Sequence, residues 1–110
     1  MSRKSITPQA VEKLTSYYND SRSSAIIALI LKGYTISNIL WKQLENDDVN
    51  YAISILEKMQ DKSYFAMRKR LLTIIIKKNR SKFSFLLELT KDSKKLQAHA
   101  CKIFEEVKNK

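Results

Sequence analysis

The chain contains one histidine and one cysteine, His99 and Cys101, and these are its most obvious candidates for chemistry. A nucleophilic cysteine needs a base within hydrogen-bond reach to take its proton. On a helix, two residues that are two positions apart point about 200° away from each other, so these two cannot form such a pair. Cys101 borders an apolar stripe and is predicted to be a packed thiol. His99 lies among polar residues and is predicted to be solvated.

The chain also offers few residues that could bind a metal ion or a phosphate group. One histidine and one cysteine cannot build a zinc site without several carboxylates. The acidic cluster of Glu45, Asp47 and Asp48 could bind a cation weakly, but helix capping explains these acids without one. A single glycine in 110 residues excludes a glycine-rich phosphate loop. We therefore expect no metal, no cofactor and no enzymatic activity.

The positive charge of the chain is concentrated in its second half. Residues 1–61 hold seven Lys/Arg and seven Asp/Glu, whereas residues 62–110 hold fourteen and four, which accounts for the net charge of +10. On stacked helices these cations would form one ridge, which could bind an acidic partner or the phosphates of a nucleic acid. The charge could also serve solubility alone. The candidate binding residues are Arg68, Lys69, Arg70, Lys77, Lys78, Arg80, Lys82, Lys94, Lys95 and Lys102.

The composition and an internal repeat predict the fold. One glycine and one proline are too few for the turns of a sandwich or barrel, so an all-α fold is favoured. A shift of 31 residues places Leu56 on Leu87 and Asp61 on Asp92, and such a period is typical of helical repeats that stack to bury their faces. We predict a single domain over residues 1–110 with about seven short helices. They would stack as antiparallel HEAT/armadillo-like hairpins, with repeat-like hairpins at about 49–78 and 82–108.

Cap and turn residues set the predicted ends of these helices. The second helix is apolar on all sides from Ala25 to Leu31, which predicts a central position covered by neighbours. The predicted starts, stops and turns are, in chain order, Thr7-Pro8, Asn19-Asp20-Ser21, Gly33, Thr35 or Ser37, Asn46-Asp47-Asp48, Asp61-Lys62-Ser63, Asn79-Arg80-Ser81 and Asp92-Ser93.

Two runs carry a family resemblance. The first is Ser63-Tyr64-Phe65-Ala66-Met67-Arg68, and the second starts at Asp92-Ser93-Lys94-Lys95-Leu96-Gln97 and continues through Ala100 to Val107-Lys108-Asn109. Together they resemble the last armadillo-type repeats of the Mo-twenty-five (Hym-type) scaffold family, over about residues 52–110. The family's closing Asn-Pro is absent here.

This resemblance implies a non-enzymatic adaptor. The family holds a kinase or pseudokinase partner on its concave face and takes a short C-terminal peptide in a groove between its last helices. Arg68 matches an arginine of the family's first run and would grip a partner carboxylate, because its planar fork suits that geometry.

The sequence as a whole favours an adaptor whose groove or basic face binds an acidic or helical segment of another protein. The alternative is a sequence-independent nucleic-acid-binding module that uses the basic residues 62–110. Self-association is also open, with Trp41 beside an apolar stripe as its anchor. These readings belong to different function classes, and binding experiments distinguish them.

The location expected from the sequence is cytoplasmic or nuclear. No signal peptide follows Met1, and the longest apolar run, Ala25 to Leu31, has seven residues where a membrane span needs about 20. A single cysteine fits a reducing compartment. The basic run from Lys77 to Lys82 could act as a nuclear-import patch.

Overall fold

Helices cover most of the chain, as its scarcity of glycine and proline predicts. The structure is a computed structural model that describes residues 5–18 and 22–109, so the turn predicted at Asn19-Asp20-Ser21 lies outside the described residues. The described ranges contain seven α-helices and the fold is all-α, which confirms the predicted class. The helices are α1 (Pro8–Tyr18), α2 (Arg22–Leu31), α3 (Asn38–Asn46), α4 (Val49–Lys58), α5 (Phe65–Lys78), α6 (Phe83–Leu89) and α7 (Lys94–Lys108).

Four short elements join these helices. Two-residue strands, β1 (Ser5–Ile6) and β2 (Thr35–Ile36), precede α1 and α3. Single 3-10 turns, Lys62–Tyr64 and Arg80–Lys82, lead into α5 and α6. Each of these four elements has only two or three residues, which is too short to show a hydrophobic periodicity in the sequence.

The chain divides into two compact units, Met1–Ile55 and Leu56–Lys110. The division falls inside α4, so the hairpin predicted over residues 49–78 starts in one unit and ends in the other. The prediction of a single domain over residues 1–110 and the predicted repeat arrangement both stay predictions.

Hydroxyl caps and one glycine set the helix ends in the first unit. The Thr7 side chain accepts from the Ala10 amide and the Ser37 side chain accepts from the Leu40 amide, each at 3.2 Å, so each satisfies a backbone donor at a helix start. Gly33 has a φ of +95°, and its amide donates to the Ile30 carbonyl at 2.9 Å as the chain leaves α2. A side chain at that φ would strain the backbone, which explains the glycine.

The two strands pair in parallel at an offset of 30 residues. Ser5 lies opposite Thr35 and Ile6 opposite Ile36, and the Ser37 amide donates to the Ile6 carbonyl at 3.2 Å. Thr35 therefore belongs to β2, and Ser37 is the cap of α3. The strand pair buries Ile6 completely.

The core of the first unit comes mainly from one side of each helix. Helix α1 packs against α2 and contributes Val11, and α3 contributes Leu40 and the predicted interface anchor Trp41, which is 6% exposed. Leu31 at the end of α2 is 65% exposed. Part of the apolar run from Ala25 to Leu31 is buried, so α2 is covered along part of its length, whereas its last turn faces solvent.

The second unit uses the same turn before α5 and before α6. The Asp61 carboxylate accepts from the amide and the hydroxyl of Ser63, and the Asn79 side-chain oxygen accepts from the amide and the hydroxyl of Ser81. In both cases an Asp or Asn side chain caps the 3-10 turn that follows it by accepting from the residue two positions later. Asp and Asn commonly form such local hydrogen bonds to the backbone. The Ser93 side chain then caps α7 by accepting from the Leu96 amide at 3.2 Å.

Helices α5 and α7 pack against each other and run in the same direction. Three contacts advance together along both segments: Arg68 with Asp92, Thr73 with His99, and Phe83 with Phe104. Helix α6 connects them and packs on α7. The buried positions of α5 and α7 are Arg68, Leu71, Leu72, Ile74, Ile75, Ile76, Leu96, Ala100 and Ile103.

Candidate binding face on helices α5 and α7

The ten predicted binding residues fall on three elements of the second unit. Helix α5 carries five of them, the 3-10 turn at 80–82 carries two and α7 carries three. Eight of the ten are exposed and Lys82 is half-buried, whereas Arg68 is buried. Arg68 therefore has to be considered apart from the other nine.

Arg68 forms a two-pronged ion pair inside the unit. Its Nη1 and Nη2 atoms donate to the Oδ2 and Oδ1 atoms of Asp92 at 3.0 and 2.9 Å. The Arg68 side chain is 1% exposed and that of Asp92 is 41% exposed. The hydrogen bonds from Arg68 lower the pKa of the Asp92 carboxyl group below its ordinary value. This pair ties α5 to the turn before α7, and a partner carboxylate would have to displace Asp92 to reach Arg68.

The central contact of the exposed surface joins Thr73 of α5 to His99 of α7. The Thr73 Oγ1 atom lies 2.7 Å from the His99 Nε2 atom. Partial burial lowers the pKa of His99, and the positive charges of Lys69 and Lys102 lower it further, while the charge of Glu106 raises it. A lysine from each helix therefore acts on the same imidazole.

Four-residue spacing extends this contact along both helices. Lys69, Thr73 and Lys77 follow one another at intervals of four on α5, and Lys95 stands four residues before His99 on α7, so each set shares one side of its helix. We call this surface the α5–α7 face. It consists of Lys69, Thr73, Lys77, Lys95, His99 and Lys102.

The remaining predicted cations lie outside this face or serve other contacts. Arg70 and Lys78 each interact with other groups of the chain. Arg80 and Lys82 belong to the 3-10 turn, and Lys94 opens α7. The structure thus places one lysine of α5, Lys69, and one of α7, Lys102, near His99, and the turn cations follow the end of α5 in the chain.

Two features of this surface were not identified from the sequence. His99 is half-buried against Thr73, so the prediction of a solvated histidine is wrong. Thr73 was not singled out, although the spacing of Lys69, Thr73 and Lys77 places it between two lysines. Cys101 is exposed and not a packed thiol, because it points away from the stripe that contains Ala100 and Phe104.

The aromatic residues near these cations mostly pack on one another. The Phe83 and Phe104 rings stack with their centroids 4.2 Å apart, and both are half-buried. Within residues 5–18 and 22–109, Phe85 is the aromatic among the exposed large apolar side chains, at 43%. A single-stranded nucleic acid usually binds on several aromatic rings interleaved with cations. This surface offers charge with little aromatic area.

The described residues also bear on two other features, a metal site and a membrane-spanning helix. In the part of the chain that the structure describes, no group of three or more His, Cys, Asp or Glu residues is arranged to hold a metal ion. Across those same residues, no helix combines the length and the apolar character that a membrane crossing requires.

Comparisons with protein-family models, with curated proteins and with solved structures found no match. The resemblance to the Mo-twenty-five family therefore stays a prediction, and the α5–α7 face has to be interpreted from its own chemistry.

Proposed function

We propose that this chain is a non-enzymatic helical-repeat adaptor whose α5–α7 face binds an acidic segment of another protein. The observation that carries the proposal is the 2.7 Å contact between Thr73 and His99, because it brings together two helices on which Lys69 lies four residues before Thr73 and Lys102 three residues after His99. Within the described residues, neither lysine makes an ion pair. Like charges held close together repel one another, and a bound anion would relieve that repulsion.

The acidic side chains of the second unit support this assignment. Glu88 pairs with Lys91 at 3.3 Å, Glu105 pairs with Lys108 at 3.6 Å, and Asp92 pairs with Arg68. These carboxylates are thus engaged with cations outside the α5–α7 face. Glu106 also acts on His99, but the four lysines of the face outnumber this one carboxylate, so the face keeps a net positive charge for a ligand from elsewhere.

Helix electrostatics distinguish lysines that stabilise the fold from lysines that do not. Lys77 and Lys78 occupy the last turn of α5, where the helix dipole favours cations. Lys94 and Lys95 occupy the first turn of α7, which contains no acidic residue. Cations there oppose the dipole by about 0.3–1 kcal/mol each. Helix stability therefore explains the first pair of lysines but not Lys95, which belongs to the α5–α7 face and for which binding of an anion is the better explanation.

The repeat-like spacing of the chain supports the adaptor part of the proposal. The first unit pairs two strands in parallel at a 30-residue offset, and in the second unit α5 and α7 run in the same direction; both features are consistent with stacked helical hairpins. Neighbouring helices of such a stack present a continuous row of side chains to an extended ligand. An acidic peptide laid along the α5–α7 face would contact both rows of cations.

A titration with three probes tests this proposal. Fluorescence anisotropy would compare a glutamate-rich peptide, a single-stranded RNA and a duplex DNA of matched charge, at about 50 and about 200 mM salt. We expect the peptide to bind in the micromolar range and more tightly than either nucleic acid. Single-stranded RNA would lack stacking rings on this face, and a rigid duplex would follow the line between two helices less closely than an extended peptide.

Two other results would contradict the proposal in different ways. Tighter binding of RNA or DNA, with an affinity that falls steeply with salt, would support the nucleic-acid-binding module instead. If no probe bound more tightly than about 10⁻⁴ M at low salt, the charge would serve solubility alone.

A further inference from the structure

The Thr73–His99 contact gives the α5–α7 face a group that can change its charge near neutral pH. We propose that Lys69, Thr73, His99 and Lys102 form a subsite for one carboxylate of the acidic segment, and that His99 takes up a proton when the carboxylate binds. This inference rests on the proposed function and adds a defined position and a proton to it. His99 is the only histidine of the chain, so its titration can be measured without ambiguity.

The geometry allows His99 to be neutral or protonated without losing its hydrogen bond. The Thr73 Oγ1 atom lies 2.7 Å from His99 Nε2 and 3.2 Å from the Lys69 carbonyl oxygen. When His99 Nε2 is unprotonated, the Thr73 hydroxyl can donate to it. When Nε2 carries a proton, it can donate to Oγ1, and the hydroxyl can turn to donate to the Lys69 carbonyl. One hydroxyl rotation therefore accommodates both states.

The surroundings of His99 oppose its protonation until an anion arrives. Lys69 faces it from α5, and Lys102 and Glu106 face it from α7. The other elements that pack on α7 carry Arg80 and Lys82 in the 3-10 turn and Glu88 in α6. In the free protein the two nearby lysines and partial burial keep the pKa of His99 below 6.5.

A bound carboxylate would reverse the balance of charges around the ring. It would lie near two ammonium groups and the imidazole, and its negative charge would favour the protonated ring. Binding of the peptide then favours protonation of His99, and protonation of His99 favours binding of the peptide by the same free energy. The affinity for the peptide must therefore rise as the pH falls. The hydrogen-bond donors of this subsite are two ammonium groups, an imidazole and a hydroxyl. It contains no arginine, because Arg68 already binds Asp92.

The experiment follows the His99 ring by NMR during pH titrations with and without a saturating glutamate-rich peptide. We expect the pKa to lie below 6.5 in the free protein and to rise by about 1 in the complex, which corresponds to about tenfold tighter binding of the peptide by the protonated form. Between pH 8 and pH 6 the glutamates stay ionised, so the affinity change over this range reports His99.

Three variants and one control make the result specific. Lys69→Gln and Lys102→Gln should each raise the pKa of His99 in the free protein and reduce the rise on binding. His99→Gln should make the affinity equal at pH 6 and pH 8. Lys108→Gln, which removes the same charge from the end of α7, serves as the control and should preserve the rise in pKa on binding.

The outcomes separate this inference from the proposed function. If the peptide binds and the pKa of His99 does not change, the subsite is wrong while the adaptor assignment stands. If His99→Gln retains the pH dependence, another group carries the proton and the subsite is also wrong. If the peptide fails to bind at every pH, the proposed function fails together with the inference.

Discussion

Replacement of Asp92 by alanine is expected to destabilise the second unit by about 3–5 kcal/mol, because it leaves the buried Arg68 guanidinium without a counter-ion. Both carboxylate oxygens accept from that guanidinium, and its Nε atom is buried with no hydrogen-bond partner among the described residues. Chemical denaturation at pH 7, followed by far-ultraviolet circular dichroism, measures the loss.

The two members of this pair should not respond equally. Arg68→Leu leaves Asp92, which is 41% exposed and can be hydrated, and it fills the buried position with an apolar side chain. We therefore expect Arg68→Leu to cost less than Asp92→Ala. Asp61→Ala is the matched control, since Asp61 caps the corresponding turn from an exposed position and its loss should cost less than the loss of Asp92. A loss at Asp92 no larger than the loss at Asp61 would show that the ion pair does not hold this turn.

Acid should weaken the same pair. The folded-state pKa of Asp92 is depressed by its hydrogen bonds from Arg68, so the pair stabilises the fold at neutral pH. That contribution is lost as the pH falls from the ordinary pKa of an aspartate, about 4, through the depressed value. In Asp92→Asn this part of the acid dependence should be absent.

Reversal of the two central charges, Lys69→Glu together with Lys102→Glu, is expected to weaken the binding of a glutamate-rich peptide about a hundredfold. Each substitution replaces an attraction at the middle of the α5–α7 face with a repulsion. Both side chains are exposed, so the helix content should not change. Titration calorimetry at low salt measures the affinity.

A control with the same change in net charge decides whether the effect is local. Lys91→Glu together with Lys108→Glu changes two exposed lysines that lie outside the face, beside Glu88 and Glu105. This control should weaken binding by only a few fold, through the general field of the protein. If both pairs of substitutions weakened binding equally, the peptide would be responding to net charge and not to this face.

The helix ends were predictable because their signals are local. Gly33, Ser37, Asp61, Asn79 and Ser93 each act on backbone groups a few residues away, and each performs the predicted role in a turn or a cap. The strand pair was not predicted, because it joins two-residue segments 30 positions apart and its partners show no alternation. Ile39 has the apolar spacing of a core position, three residues after Ile36, yet it is 65% exposed, since periodicity does not say which turn of a helix is covered.

The candidate face was predictable only in part, for the same reason. Charge and four-residue spacing identified the cations of α5 and α7. The contacts of Arg68 with Asp92 and of Thr73 with His99 join residues 24 and 26 positions apart, and no local rule specifies them. As a result, Arg68 was included among the surface cations although it is buried, and His99 was treated as solvated although it lies between two helices.

We propose above all that an acidic segment binds where α5 and α7 meet. Amide chemical-shift mapping of the isotope-labelled chain, titrated with a glutamate-rich peptide at low salt, tests this directly. We expect the largest shifts at and beside Lys69, Thr73, His99 and Lys102. Shifts confined to the first unit, or shifts spread evenly over all the lysines and arginines, would contradict this proposal.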